Sequence, residues 1–266
     1  MQNIGLIAGN GRFPFLAAQG IRNAGNKVIC VALKEEADKE LEEFCDKFFV
    51  LSIGKFQKIL DSFKNEGVHD VIMAGQVKHI TIYSAISMDF RAIKVMGKLL
   101  NKKTDTMLKT FADEFEKDGM RLVPSNLYLK EFMAKKGLIA GKTLSETEQQ
   151  DIDFGFKMAK SIAGLDIGQT VVVKDRSVLA VESVEGTDEC IKRAYVLGGK
   201  GAMVCKVAKP NQDFRFDIPV IGTRTIETLK ANKARAMAIE ADSTLILDIE
   251  EVIKKAKDAG VTIIAI

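Results

Sequence analysis

Asp213, Arg215 and Asp217 alternate with Phe214 and Phe216 near the C-terminal third of the chain. If this stretch is extended, its side chains point alternately to opposite faces. Two carboxylates and a guanidinium then converge on one side while two aromatic rings anchor the other. Neighbouring carboxylates repel and favour a cation between them. Hard cations such as Mg²⁺ take oxygen ligands, often only one or two carboxylates completed by substrate phosphates. Lys206, Lys209 and Gln212 stand just upstream, and the two lysines with Arg215 supply the positive charge that holds phosphate. The pattern points to phosphate chemistry with Asp213 and Asp217 as metal-ready acids; the competing reading is a solvated strand edge closed by local salt bridges.

Three further stretches carry polar groups at strand ends. Gly9-Asn10-Gly11-Arg12 follows an apolar strand and precedes a helix, the setting in which backbone N–H groups approach a phosphate. Pro14 occupies the third glycine position of a dinucleotide fingerprint, so an ordinary NAD site is not expected. Gly75-Gln76-Val77-Lys78 follows the fourth strand, where an open α/β sheet borders its ligand crevice. Glu182-Ser183-Val184-Glu185-Gly186-Thr187-Asp188 ends one strand and begins a helix; Thr187 or Asp188 suits a helix cap, yet three carboxylates exceed what capping needs. His69 and His79 are the two histidines and show no partner pattern for a zinc site or a histidine-based phosphatase.

These stretches need a frame. The first half reads as strands Ile4–Ala8, Lys27–Leu33, Phe48–Ile53 and His69–Ala74 alternating with helices Phe15–Asn23, Glu35–Phe44 and Lys55–Asn65. That rhythm predicts a parallel, doubly wound, Rossmann-like sheet. Further helices are expected at Ile82–Phe90, 91–101, 105–117 and Asn126–Lys135. The second half is mixed α/β. A capping box at Ser145 and Glu148 opens a helix, and Asp175-Arg176-Ser177 joins Gln169–Lys174 to Val178–Ser183 as a hairpin. Strand Met203–Val207, helix Thr225–Ala238 and strand Val261–Ile266 follow. The expected organisation is an α/β chain with an N-terminal Rossmann-like domain over 1–135, a linker over 136–143 and a C-terminal mixed α/β domain over 144–266.

Composition agrees. The 266 residues, 47% of them hydrophobic, suffice for two cores. A net charge of +3 and 7% aromatic residues, with no basic-aromatic interleaving, argue against nucleic acid. Cys30, Cys45, Cys190 and Cys205 form no C-x-x-C pair, which suits a reducing cytosol. No apolar run reaches the roughly 18 residues a membrane span requires, and no basic segment precedes the short N-terminal apolar run. P-loop and nucleophile-elbow motifs do not occur.

Taken in order, the motifs resemble the LpxI-type UDP-2,3-diacylglucosamine pyrophosphatases. The residues that carry the resemblance are Gly5-Leu-Ile-Ala-Gly9-Asn-Gly11-Arg-Phe-Pro14, Ala74-Gly75-Gln76-Val77, Asp105, Phe115-Glu116-Lys-Asp-Gly119, Asp166-Ile-Gly168-Gln169, Val178 to Asp188, and Lys206 to Pro219. The resemblance implies two domains with ligand between them. It implies cleavage of UDP-2,3-diacylglucosamine to UMP and 2,3-diacylglucosamine 1-phosphate in lipid A biosynthesis, with Mg²⁺ or another divalent cation and water attacking the sugar-side phosphorus. Asp217, with Asp213 beside it, would be the essential acid or metal ligand. Lys206, Lys209, Gln212 and Arg215 would hold phosphates and nearby groups, Thr187 and Asp188 the sugar, phosphate or metal, and Gly9–Arg12 with Gly75–Lys78 the nucleotide or sugar side. A cytoplasmic protein is implied, with room for loose contact with the inner face of the membrane and for a homo-oligomer. Thr223 and Asp242 depart from the resemblance, standing where Pro and Gly are expected. The alternative function is a nucleotide-sugar or dinucleotide binding protein without hydrolysis.

Overall fold

The computed structural model describes residues 1–77, 88–99 and 104–266. Lys78, His79 and most of the helix expected at Ile82–Phe90 lie outside them. By its contacts the chain forms two units, one of Met1–Leu129 with Phe214–Phe216 and one of Lys130–Asp213 with Asp217–Ile266.

The first unit is built on five strands, β1 (Asn3–Ala8), β2 (Lys27–Leu33), β3 (Lys47–Leu51), β4 (Asp70–Ala74) and β5 (Arg121–Leu122). They run parallel in the order β3-β2-β1-β4-β5. Such a sheet is buried on both faces and needs near-continuous apolar strands. In β2, Ile29, Val31 and Leu33 join one core cluster, whereas Val28, Cys30 and Ala32 join another. The covering helices include α1 (Phe13–Asn23), α2 (Phe56–Asn65), α3 (Phe90–Leu99) and α4 (Thr104–Glu116). In α2, Phe56, Ile59, Leu60 and Phe63 form the buried stripe that helical spacing dictates.

Two helices expected here are not α-helical. Between 35 and 44 there is only a 3₁₀ helix, Lys39–Phe44, entered through extended Asp38, whose Oδ1 accepts the Glu40 N–H at 3.0 Å. Leu41 is the one buried apolar residue between 35 and 44, so no apolar stripe holds a longer helix in place. Residues 126–135 form 3₁₀ turns, Ser125–Tyr128 and Lys130–Phe132, with the Ser125 hydroxyl donating to the Met73 carbonyl at 2.7 Å.

The second unit has a six-stranded sheet of β6 (Gly137–Ala140), β7 (Thr170–Lys174), β8 (Ser177–Val181), β9 (Met203–Lys206), β11 (Ala236–Ile239) and β13 (Thr262–Ala265). Their order is β6-β13-β11-β9-β7-β8, with β13, β11 and β9 parallel and the others antiparallel to their neighbours. A separate parallel pair joins β10 (Val220–Ile221) to β12 (Leu245–Ile246). Helices α5 (Glu146–Gly164), α6 (Thr187–Gly198), α7 (Thr223–Ala231) and α8 (Ile249–Ala259) complete it.

Three expectations change in this unit. The segment expected as a linker contains edge strand β6, which pairs with β13. The helix expected to run to Ala238 stops at Ala231, and Lys233 turns the chain at φ +50° into fully buried β11. Residues 213–217 are not extended: residues 214–216 form a turn, and the Asp217 N–H donates to the Asp213 carbonyl at 3.3 Å. Phe216 packs on the core cluster containing Phe56 and Phe115, so aromatic anchoring is achieved through a turn rather than by alternation.

Local signals survive intact elsewhere. Ser145 Oγ accepts the Glu148 N–H at 3.2 Å while Glu148 Oε2 accepts the Ser145 N–H at 2.8 Å, the reciprocal capping box that opens α5. The β7–β8 turn places Asp175 and Arg176 at φ +50° and +55°, the left-handed pair of a two-residue hairpin. Buried Asp151 on α5 accepts both of their N–H groups, at 2.9 and 2.7 Å. Asp151→Ala orphans both donors beside a strained turn, and a loss of about 2 kcal/mol is expected. Urea unfolding followed by circular dichroism checks this; an unchanged midpoint would show that the carboxylate does not support the hairpin.

Candidate active site

In the first unit, β1 and β4 are parallel neighbours with Ala8 opposite Ala74, so the loops that follow them leave the sheet side by side. This is the point where the strand order reverses, the usual ligand edge of an open α/β sheet. Asn10 N donates to the Gln76 carbonyl at 2.8 Å and Gln76 N to the Asn10 carbonyl at 3.0 Å. The approach is close enough that a Cβ on Gly9 would sit 2.5 Å from the Gln76 oxygen. Gly75 has φ +94°, and a Cβ there would lie 2.8 Å from the Asn10 oxygen. Both glycines are therefore fixed by backbone crossing, which leaves Asn10, Gly11 and Arg12 to face outward.

Helix α1 begins at Phe13 with Pro14 in its first turn and no side-chain cap. The Arg12 guanidinium lies over the Phe15 ring, 5.2 Å from its centroid. A cavity of about 420 Å³ opens here, lined by Asn10, Gly11, Arg12, Phe15, Glu36 and Asp38. Its size is within the range of small-molecule sites. Glu36 is 7% exposed, and its carbonyl accepts the Asn10 Nδ2 donor at 3.2 Å. A larger cavity of about 590 Å³ is bordered by Asn3, Asp70 and Arg121 at the amino ends of β1, β4 and β5. The smaller one is at the carboxyl ends, where strand-end amides and loops converge, and is the better ligand site.

In the second unit the polar groups gather where β8 and β9 end and α6 begins. Lys206, the last residue of β9, is paired with Thr170 on one side and Ile239 on the other. Its Nζ donates to Thr187 Oγ1 at 3.1 Å and to the Val220 carbonyl at 3.2 Å. Burial pushes the Lys206 ammonium below its usual range, while the charges of Glu182, Asp217 and Asp188 pull it back up. Thr187 donates to Glu182 Oε1 at 3.0 Å, and Asp188 accepts from Thr228 Oγ1 at 3.1 Å and Arg224 Nε at 2.9 Å.

Asp217 is exposed and held by two amides. Gln212 Nε2 donates to its Oδ2 at 2.9 Å and to its carbonyl at 3.0 Å, and Gln169 Nε2 donates to Oδ2 at 3.2 Å. Gln212 Oε1 accepts the Lys209 N–H at 2.9 Å and Gln169 Nε2 at 3.2 Å. The Lys209 ammonium pairs with Asp166. Arg215 stacks on Phe216, with 5.1 Å from the guanidinium carbon to the ring centroid. The structure thus joins Thr187, Lys206, Asp217 and Gln212 on one rim, whereas Lys209 has its own acidic partner and Arg215 belongs by its contacts to the first unit.

Among the described residues no three or more His, Cys, Asp or Glu side chains are grouped so as to hold a metal ion by themselves. A hard cation shared with substrate phosphates needs only one or two carboxylates, and the donors offered by Asp213 and Asp217 are oxygens of that kind. Their chemistry fits such an ion.

Apart from residues 214–216, the two units follow two family models. The LpxI N-terminal domain matches residues 3–132 and the LpxI C-terminal domain residues 135–264. The chain belongs to the LpxI family. It is 32% identical over 277 aligned positions to the UDP-2,3-diacylglucosamine pyrophosphatase LpxI of Caulobacter vibrioides, covering 100% of this chain and 98% of that one. Solved structures are more distant. A biotin carboxylase domain of a thermophilic 2-oxoglutarate carboxylase is 13% identical, with a TM-score of 0.27 over 73% of this chain and 33% of that one. N5-carboxyaminoimidazole ribonucleotide synthetase from Thermotoga maritima is 14% identical, with a TM-score of 0.28 over 70% of this chain and 42% of that one. The chain spans less than half of either, and likeness at that level carries no argument.

The departures from the LpxI pattern have local explanations. Thr223 is the first residue of α7, a position that proline suits but does not require. Asp242 adopts φ +53°, a conformation glycine supplies most easily and aspartate tolerates. Three residues of the site receive no individual role from the sequence, although Glu182 and Gln169 stand within its motifs. Glu36 stands beyond the end of β2, Gln169 immediately before β7, and Glu182 just after β8. Each occupies a strand end in an acidic or resemblance-bearing stretch, the signal that could have found it.

Proposed function

We propose that this chain hydrolyses UDP-2,3-diacylglucosamine to UMP and 2,3-diacylglucosamine 1-phosphate in lipid A biosynthesis. The observation that carries the reading is the end-to-end match to a pyrophosphatase of that name, through both LpxI domains. The geometry supports it. Lys206 places an ammonium at a strand end beside Thr187, suited to phosphoryl oxygens on which charge develops. Asp217, oriented by Gln169 and Gln212, is accessible for proton transfer from water. Asp213 and Asp217 are the residues that would hold Mg²⁺ or another divalent cation, which when bound supplies Lewis-acid stabilisation of phosphoryl charge. The turn Gly9–Arg12, the Gly75–Val77 loop and the cavity beside Glu36 would take the nucleotide. Lys209, Gln212, Arg215 and Asp188 would complete the polar surround.

Water attacks the sugar-side phosphorus in this reading. The new P–O bond forms there, the bond from that phosphorus to the bridging oxygen breaks, and the bridging oxygen leaves with UMP. Among the described residues no helix is long and apolar enough to cross a membrane. The diacyl substrate favours a cytoplasmic protein in loose contact with the inner membrane face, and a homo-oligomer is compatible with it.

Phosphorus NMR of the purified protein with UDP-2,3-diacylglucosamine and Mg²⁺ in ¹⁸O-enriched water tests this. Label in the sugar phosphate is expected. Label in UMP would retain the activity and overturn the direction of attack. Binding without turnover would replace the hydrolase by a nucleotide-sugar binding protein.

A further inference from the structure

The fold gives Glu182 no structural reason to be where it is. Its Oε2 is buried with no hydrogen-bond partner, while its Oε1 accepts from Thr187. A buried orphan oxygen is destabilising and calls for an explanation outside packing. The protons around Thr187 supply one. An ionised carboxylate only accepts and an ammonium only donates. The Thr187 hydroxyl, 3.0 Å from Glu182 and 3.1 Å from Lys206, must therefore give its proton to Glu182 and turn a lone pair to Lys206. Thr170 Oγ1, 3.4 Å away, can then only donate to Thr187. Glu182 sets the polarity of the whole chain of contacts.

Lys206 is directed by that polarity. Two of its three N–H bonds go to Thr187 and the Val220 carbonyl. Among the described residues the third has no hydrogen-bond partner and is the one available to a ligand. We propose that Glu182 is a positioning residue, acting through the Thr187 hydroxyl to fix the rotation of the Lys206 ammonium so that its remaining N–H meets the phosphoryl group. The proposal rests on the hydrolase reading for its ligand but not for its geometry. The charged groups facing Lys206 are Glu182 beyond β8, Asp188 on α6 and Asp217 ahead of β10; all three favour the ammonium against burial.

Glu182→Leu, Thr187→Val and Thr187→Ser separate the possibilities. In the free protein, ¹⁵N NMR of lysine ammonium groups, with Lys206 assigned by its loss in Lys206→Met, should show a protected Lys206 signal. Protection should vanish in Glu182→Leu and Thr187→Val and return in Thr187→Ser. In turnover of UDP-2,3-diacylglucosamine, Glu182→Leu and Thr187→Val should lower kcat by about 10–100-fold, the scale of a misplaced catalytic group, with little change in KM. Thr187→Ser should recover most of the loss caused by Thr187→Val. The melting temperature of Glu182→Leu should stay near that of wild type, because the lost hydrogen bond from Thr187 is offset by removal of the unpartnered Oε2 from the interior. A Lys206 signal equally protected in all three variants would overturn the proposal, as would a loss of kcat in Glu182→Leu that follows a fall in melting temperature. Should the wild-type protein bind substrate without turnover, the hydrolase reading fails by itself and the ammonium signal alone decides the role of Glu182.

Discussion

Asp217→Asn is expected to lower pyrophosphate hydrolysis by about 10²–10⁴-fold, the usual contribution of a positioned acid or base, while leaving the fold intact. The side chain is exposed and its replacement is isosteric, so stability should stay within about 0.5 kcal/mol of wild type. The backbone contacts persist: Asp217 N–H still reaches the Asp213 carbonyl, and Gln212 still reaches the Asp217 carbonyl. What disappears is the negative charge that Gln169 and Gln212 orient with two N–H donors. An amide can neither take a proton from water nor provide an anionic ligand to a divalent cation. The comparison needs kcat with saturating substrate and Mg²⁺, together with thermal melting of both proteins. Turnover within tenfold of wild type in a variant that melts normally would remove Asp217 from the chemistry and shift attention to Asp213.

Residue types in the site are legible in the sequence, and their partners are not. Thr187, Asp188, Lys206 and Asp217 stand out because polar groups at strand ends are conspicuous against apolar runs. That Lys206 meets Thr187, rather than the nearby Asp213, depends on β9 lying beside β7 in the sheet order, which no spacing encodes. The alternation read into residues 213–217 fails for a physical reason. Phe216 buries in the core of the first unit, and the chain reaches that burial by turning.

The fold divides along the same line. Features decided within a few residues are found, the Ser145–Glu148 box as expected and the hairpin expected at Asp175-Arg176-Ser177 with Ser177 already in β8. The parallel sheet of the first unit follows from four apolar strands at regular intervals. β11 was hidden because Ala236–Ile239 is a short run buried throughout, for which periodicity does not separate strand from helix. The break at Lys233 is carried by a left-handed backbone that lysine's side chain does not advertise.

Lys206→Met is expected to lower kcat by about 10²–10³-fold, as removal of one preorganised donor to a developing oxyanion does. Methionine keeps the apolar stem among its neighbours and deletes the ammonium. The pH dependence distinguishes this from a packing defect. Burial holds the folded-state pKa of Lys206 below the usual 10.5. The wild-type rate should therefore fall on the alkaline side before that value is reached, as the ammonium gives up its proton. Stability moves in the opposite direction. A lysine whose pKa is lowered on folding carries its full penalty when both states are protonated. The penalty is relieved between the folded pKa and 10.5, where the unfolded chain binds more protons than the native one. Measured as wild type minus Lys206→Met, which cancels the other titrating groups to first order, unfolding free energy should rise through that window while wild-type kcat declines. The two trends must cross in opposite senses if one buried ammonium underlies both. A wild-type rate that holds level up to 10.5, or a stability difference independent of pH, would show that Lys206 neither carries the phosphoryl charge nor feels the burial that its place at the end of β9 imposes.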